Sequence, residues 1–87
     1  MTRAEVEREF EQLLVDQFSV PREAITADAH LLKDLGLDSL DLLSAMTAME
    51  DQLGVRIPND DVPKMQTVST CIDKITERLA NPLPADD

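Results

Sequence analysis

The apolar residues of this chain fall into three helical stripes, separated by an apolar loop and a short link. Val6, Phe10, Leu13 and Leu14 recur at steps of four, three and one, the spacing of one helix face. They predict a helix from about Arg3 to Gln17. Thr2 and Glu5, at its start, have the spacing of a capping box. Glu7 and Glu11 are like charges four residues apart, so this helix depends on packing rather than on surface pairs. Ser19-Val20-Pro21 ends it, because the residue before proline disfavours the helical region. Pro21 can then open a short turn through Glu23 and Ala24.

The connection from about Ser19 to Asp38 is long for a structureless loop in a compact domain. It is not polar either. Val20, Ile25, Leu31, Leu32, Leu35 and Leu37 predict a loop that packs its own side chains across the helices. Gly36 allows a close turn within it.

A second stripe follows. Leu42, Met46, Met49 and Leu53 step by four, three and four, with Leu43 and Ala45 beside them. They predict a helix from Ser39 to about Leu53, with Asp38 as its N-cap and Asp41 at the positive end of its dipole. Leu40, on the first turn, falls on the exposed side. The opposite face carries Asp41, Ser44, Thr47, Ala48 and Asp51. Gly54 suits the left-handed residue that ends a helix. After the extended link Val55-Arg56-Ile57-Pro58, Asn59 is expected to cap a brief helix through Asp60, Asp61 and Val62, limited by Pro63. Thr67 is expected to cap the last helix, about Val68 to Leu79, with Val68, Ile72, Ile75 and Leu79 as its stripe and Cys71 alongside.

The fold class read from this pattern is all-α. It is a small four-helix bundle, three longer helices plus one short helix, with a long ordered loop between helices one and two. Eighty-seven residues make one small domain. Phe10 and Phe18 are its two aromatics, so the core must be aliphatic, which suits helices better than aromatic-rich strands. Residues 1–80 are expected to form the domain and 81–87 a frayed tail.

Charge narrows the partners. The formal net charge is −10, from 18 acids against 8 bases. Nucleic acid and anionic membrane surfaces would repel such a chain, whereas basic protein surfaces would attract it. From Asp34 to Asp61, seven acids stand against one base, Arg56, which places −6 of that charge in one segment. A one-sided acidic face steers basic partners. No apolar run is long enough for a membrane span, and the charged N-terminus lacks the apolar stretch of a secretory signal. Cys71 is alone, so no internal disulfide is possible, which fits a reducing, cytoplasmic setting.

Catalytic constellations are missing. Ser39 has one conceivable base, His30, nine residues earlier on the loop, and there is no nucleophile elbow. Gly36 and Gly54 are the two glycines, too few for a phosphate-cradling loop. Asn59-Asp60-Asp61 lacks the ligand spacing and glycine of a calcium loop. Met46, Met49 and Met65 are unbranched and repack easily. With Val62 they are candidates to line a pocket for an apolar chain, although ordinary core filling is the plainer reading of them.

The stretch Asp34-Leu35-Gly36-Leu37-Asp38-Ser39-Leu40-Asp41 closely resembles the D-L-G-x-D-S-L-D motif of acyl carrier proteins. Gln52 to Asp61 looks like that family's link into helix three, and Thr67-Val68 with Ile72 and Ile75 like its helix four. The resemblance implies a carrier, not an enzyme. It implies that a separate phosphopantetheinyl transferase, using Mg²⁺, joins 4′-phosphopantetheine from coenzyme A to the Ser39 oxygen, and that the arm's thiol then holds acyl groups as thioesters. Asp38 would assist the transferase or its metal. Leu40, Asp41, Ser44, Thr47 and Asp51 would face partners, such as a ketosynthase or an acyltransferase with basic surfaces, and the chain would work as a monomer. Ser44 stands where many members have Glu, Arg56 where many have an acid, and Pro63 where helix three is usually regular. The resemblance therefore implies fatty-acid or polyketide (specialised lipid) biosynthesis alike. A peptidyl or aryl carrier, and an acidic helical interaction module without a prosthetic group, are the alternatives.

Overall fold

The structure, a computed structural model, describes residues 1–81. The fray expected for 82–87 lies outside the described residues. Three α-helices carry the fold: α1 (Arg3–Phe18), α2 (Ser39–Leu53) and α3 (Val68–Ala80). Two 3-10 turns, Arg22–Ala24 and Asn59–Lys64, lie between them. This is the expected all-α bundle of three longer helices and one short helical segment.

Local chemistry sets the helix starts. Thr2 and Glu5 form the capping box of α1, with Thr2 N–H donating to Glu5 Oε1 at 2.8 Å. At α3, Thr67 Oγ1 accepts from the N–H of Thr70. Gly54 ends α2 at φ +65, and Ser19 ends α1 at φ +57. Ser19 enters the left-handed region although it is not glycine. There its N–H and that of Val20 both reach the Leu14 carbonyl, so two donors leaving the helix are satisfied.

The core is one aliphatic cluster around Phe10. α1 contributes Val6, Phe10, Leu13 and Leu14, α2 contributes Leu42, Ala45, Met46 and Met49, and α3 contributes Val68, Cys71, Ile72 and Ile75. α1 packs against both α2 and α3. Fully burying each large side chain is worth about 1.5–3 kcal/mol, and the long loop adds Val20, Leu31 and Leu37 to the same cluster.

That loop is held by its backbone as well. Leu31 N–H donates to the Gln66 carbonyl at 2.8 Å. The carbonyls of Ala29 and Ala27 accept from Val68 and Ser69, the first two residues of α3, each at 3.0 Å. Those donors have no partner inside their own helix, so the loop completes the start of α3. Gly36, at φ +75, lets the chain turn so that Leu37 N–H meets the Leu31 carbonyl. The loop thereby delivers Asp38 and Ser39 to the surface from a fixed base.

Four details differ from the sequence pattern. Asn59 does not cap the short segment. Pro58 holds the cap position, no side chain caps it, and Asn59 is its first helical residue. Pro63 lies inside rather than limiting the segment, because a 3-10 turn is short enough to absorb one missing N–H. Asp61 and Glu50 leave the outer acidic face: Asp61 is 4% exposed and paired with Arg78, and Glu50 Oε2 accepts the Ile57 N–H at 2.7 Å. Leu43 is 43% exposed instead of lying beside the core stripe. It stands one residue beyond Leu42, a rotation of about 100° around a helix of 3.6 residues per turn.

Candidate functional site

Ser39 is exposed and is the first residue of α2. Asp38 precedes it as the N-cap. Asp38 Oδ1 accepts the Asp41 N–H at 2.8 Å, and Asp41 Oδ2 accepts the Asp38 N–H at 3.3 Å. This reciprocal box locks the helix start on both sides of Ser39 without using its hydroxyl. Asp41 N–H is spent on Asp38 and Leu42 N–H on the Asp38 carbonyl. The N–H groups of Ser39 and Leu40 have no partner among the described residues and mark the positive end of α2.

Ser39 also lines an open groove of about 320 Å³. Its walls are apolar: Leu32 from the loop, Leu42 and Leu43 from α2, Val62 and Pro63 from the second 3-10 turn. Its polar lining is Ser39, His30 and Gln66. Leu42 and Leu43 follow Ser39 by three and four residues, the spacing that places side chains on one helix face. That signal was readable in advance, yet a core stripe drew Leu43 inward. His30 and Gln66 had no such signal, since the antiparallel bridge between His30 and Thr67 brings them together from distant positions.

On the outer face of α2, Leu40, Ser44, Thr47 and Asp51 form one exposed line at steps of four, three and four, with Leu40 73% exposed. Asp41 is half-buried beside it. Of the four residues weighed for an apolar chain, the structure brings Val62 to the groove. Met46, Met49 and Met65 lie in the closed core: the four- and three-residue steps of α2 put Met46 and Met49 on its buried face, and Met65 is buried where the second 3-10 turn ends.

No triad forms. His30 Nδ1 accepts backbone N–H groups of Leu32 and Lys33, and Asp34 Oδ2 accepts the backbone N–H of His30 rather than its ring. The nucleophile lacks a base held by an acid. Burial pushes the Cys71 thiol up to about 12, which removes it as a nucleophile near neutrality. The Arg78 guanidinium holds the Asp61 carboxyl below the usual carboxylate range. Among the described residues no group of three or more His, Cys, Asp or Glu is placed to hold a metal ion.

Ser39 thus presents an exposed hydroxyl, without a hydrogen bond among the described residues, at a locked helix start. A family model described as a phosphopantetheine attachment site matches residues 8–75. An acyl carrier protein of Saccharopolyspora erythraea is 37% identical over 89 residues, covering 99% of this chain and 94% of that protein. Another, from Lactobacillus johnsonii, is 35% identical over 75 residues, covering 86% of this chain and 94% of that protein. The chain belongs to the acyl carrier protein family.

Acyl carrier proteins are carriers rather than enzymes, and the prosthetic group of this one is covalent 4′-phosphopantetheine. The residues at α2 fit that group. The hydroxyl is accessible for an ester, N–H groups without a partner among the described residues favour a phosphate at the helix start, and the same residue lines an apolar groove. Against this, Asp38 and Asp41 repel a phosphate. Their carboxylates are engaged with each other's backbone N–H, which spreads part of that charge. No helix of the described residues is long and apolar enough to cross a membrane.

Proposed function

We propose that Ser39 is the attachment residue, and that this carrier moves acyl intermediates between enzymes of fatty-acid or polyketide biosynthesis. The observation that carries the reading is the exposed Ser39 hydroxyl at the first position of α2, inside the matched family span and without a hydrogen bond among the described residues. A phosphopantetheinyl transferase would join the Ser39 oxygen to the phosphate as a phosphodiester. The bound arm supplies a thiol that holds acyl groups as thioesters.

The chain's own residues do the rest. Asp38 holds the start of α2 and stands beside the hydroxyl, where it can assist the transferase or its metal. Leu40 offers an apolar contact to an enzyme surface, and Ser44 and Thr47 extend that line along α2. Asp41 and Asp51 add negative charge that steers basic surfaces of a ketosynthase or an acyltransferase. The carrier works as a cytoplasmic monomer, and tethering raises the effective concentration its partners meet. Val62 in the groove supports apolar contact with the arm or its cargo. Met46, Met49 and Met65 would join only if the core opened.

Neutral Ser44 and Pro63 in the second 3-10 turn favour a polyketide or other specialised pathway as much as fatty-acid synthesis. Intact-mass measurement after incubation with coenzyme A and a broad-specificity transferase tests the attachment. Wild type should gain the mass of one arm and Ser39→Ala none. Equal gain on both would remove Ser39 from the reading.

A further inference from the structure

One ring nitrogen of His30 is already used. Nδ1 accepts the N–H groups of Leu32 and Lys33, both at 3.2 Å. Two donors aimed at one nitrogen make it the acceptor, so the neutral ring carries its proton on Nε2. That N–H has no partner among the described residues, and His30 lines the same groove as Ser39. Gln66, also in the groove, presents the complement. Its amide nitrogen donates to the Pro63 carbonyl at 3.2 Å. A carbonyl oxygen accepts and cannot donate, so this bond identifies the nitrogen end of the amide. Oε1 is left as an acceptor without a partner among the described residues.

The groove therefore offers one donor and one acceptor between apolar walls. A saturated hydrocarbon would leave both unpaired, at a cost of order 1–3 kcal/mol for each group it shields from water. A secondary amide carries the matching C=O and N–H. The group attached at Ser39 has this chemistry, and its nearest amide precedes any acyl group along the arm. Because Ser39 itself lines the groove, that amide is the first along the arm that can reach it.

We propose that His30 and Gln66 are positioning residues for the phosphopantetheine arm, binding its proximal amide between His30 Nε2–H and Gln66 Oε1. The proposal rests on attachment at Ser39. His30 thus has two faces: Nδ1 holds the loop, and Nε2 holds the arm over Leu43 and Val62. The arm is partly ordered before any enzyme is met, so less freedom remains to be lost on docking.

The test uses the full chain as wild type, His30→Asn and Gln66→Met. Asn keeps a side-chain oxygen for the Leu32 and Lys33 N–H groups while withdrawing the ring N–H. Met keeps the length of Gln without its acceptor. Each is loaded from coenzyme A, checked by mass, and studied by NMR as the free thiol. In loaded wild type, the arm's methyl groups should show cross-relaxation with Leu43 and Val62. The His30 Nε2–H should exchange with water about fivefold more slowly than in the unloaded chain, the effect of one modest hydrogen bond. Both variants should lose the cross-relaxation. A loaded wild type without those contacts overturns the proposal, as do contacts that persist undiminished in both variants. Contacts seen only after an acyl group is added also overturn it, since the groove then belongs to the cargo. Absence of mass gain on wild type instead overturns attachment at Ser39, and this proposal with it.

Discussion

Asp38 and Asp61 both stand near the start of a helical segment, and they do opposite work. Asp38 is exposed, and its bonds run to Asp41, three residues away. Asp61 is buried, and its two oxygens take Arg78 Nε at 2.8 Å and Nη2 at 3.1 Å, 17 residues away. The first carboxylate organises one helix turn and nothing beyond it. The second ties the Asn59–Lys64 turn to α3. A site that must accept a covalent group belongs at the first kind of place, where the chain is locally rigid but the core does not depend on the reacting atom. The wall of the groove belongs to the second kind, because its segment has no side-chain cap and needs a tertiary anchor.

The largest effect that separates the two is all-or-none. Ser39→Ala should abolish loading while leaving stability within about 0.5 kcal/mol of wild type, as expected for an exposed position without partners. Loading by mass and a denaturation midpoint check both halves. A large loss of stability would mean that the hydroxyl is part of the fold, and the contrast would fail.

Asp61→Asn should do the reverse. It keeps the shape but gives up one of the two oxygens that accept from Arg78 and leaves that guanidinium without its counterion. The cost should be about 2 kcal/mol, since hydrogen bonds to charged groups are worth about 1.5–3 kcal/mol, or a fall of roughly 10 °C in Tm for a domain of this size. Mass gain on Ser39 should survive. Acid sharpens the same point. Arg78 lowers the Asp61 carboxyl, so the folded chain binds that proton less readily than the unfolded one. The pair's contribution is then complete above about pH 4, the ordinary aspartate value, and is lost as pH falls through the lower folded value. Between those limits wild-type stability should drop more steeply than that of Asp61→Asn. Parallel curves would show the pair contributes nothing.

The helix starts were legible because their chemistry is local. Thr2 with Glu5, Asp38 with Asp41 and Thr67 each act within three residues, and a reader of the chain sees the whole interaction. Ser39 was legible for the same reason, with the motif around it. What escaped depends on partners far along the chain. A sum of charges from Asp34 to Asp61 counts Glu50 and Asp61 as surface acids, because it cannot see Ile57 N–H or Arg78 beside them. Val55 and Ile57 read as a plain link, yet both are buried, 8% and 5% exposed, and the alternation with exposed Arg56 was the available sign. His30 and Gln66 line one groove because a bridge joins His30 to Thr67 across the loop and the start of α3, a pairing with no periodicity to announce it.

Asp38→Ala should cost about 1 kcal/mol, the usual value of a lost N-cap, and Asp38→Asn should recover most of it, because the amide oxygen still accepts the Asp41 N–H. Hydrogen exchange at Asp41 and Leu42 reads the fraying directly. If Asn restores the helix start but not the loading rate, the Asp38 charge acts in the transferase complex. If it restores both, Asp38 is a cap alone.

The smallest effect concerns the acids that remain on the surface once Asp61 and Glu50 are set aside. Asp41→Asn with Asp51→Asn removes two charges from the face of α2. The amide oxygen introduced by Asp41→Asn can still accept the Asp38 N–H, so the helix start is spared. Loading by a basic transferase should slow roughly threefold at low salt, through encounter rather than chemistry. The two rates should converge as ionic strength approaches about 1 M, where the screening length shrinks to about 3 Å. Removing the pair together, with Asp61→Asn and Arg78→Gln, should leave the salt dependence of loading unchanged, because a carboxylate paired with Arg78 projects little field beyond the pair. A change in salt dependence from that double variant would place the acid back on the steering face, and the division between the two kinds of aspartate would no longer hold.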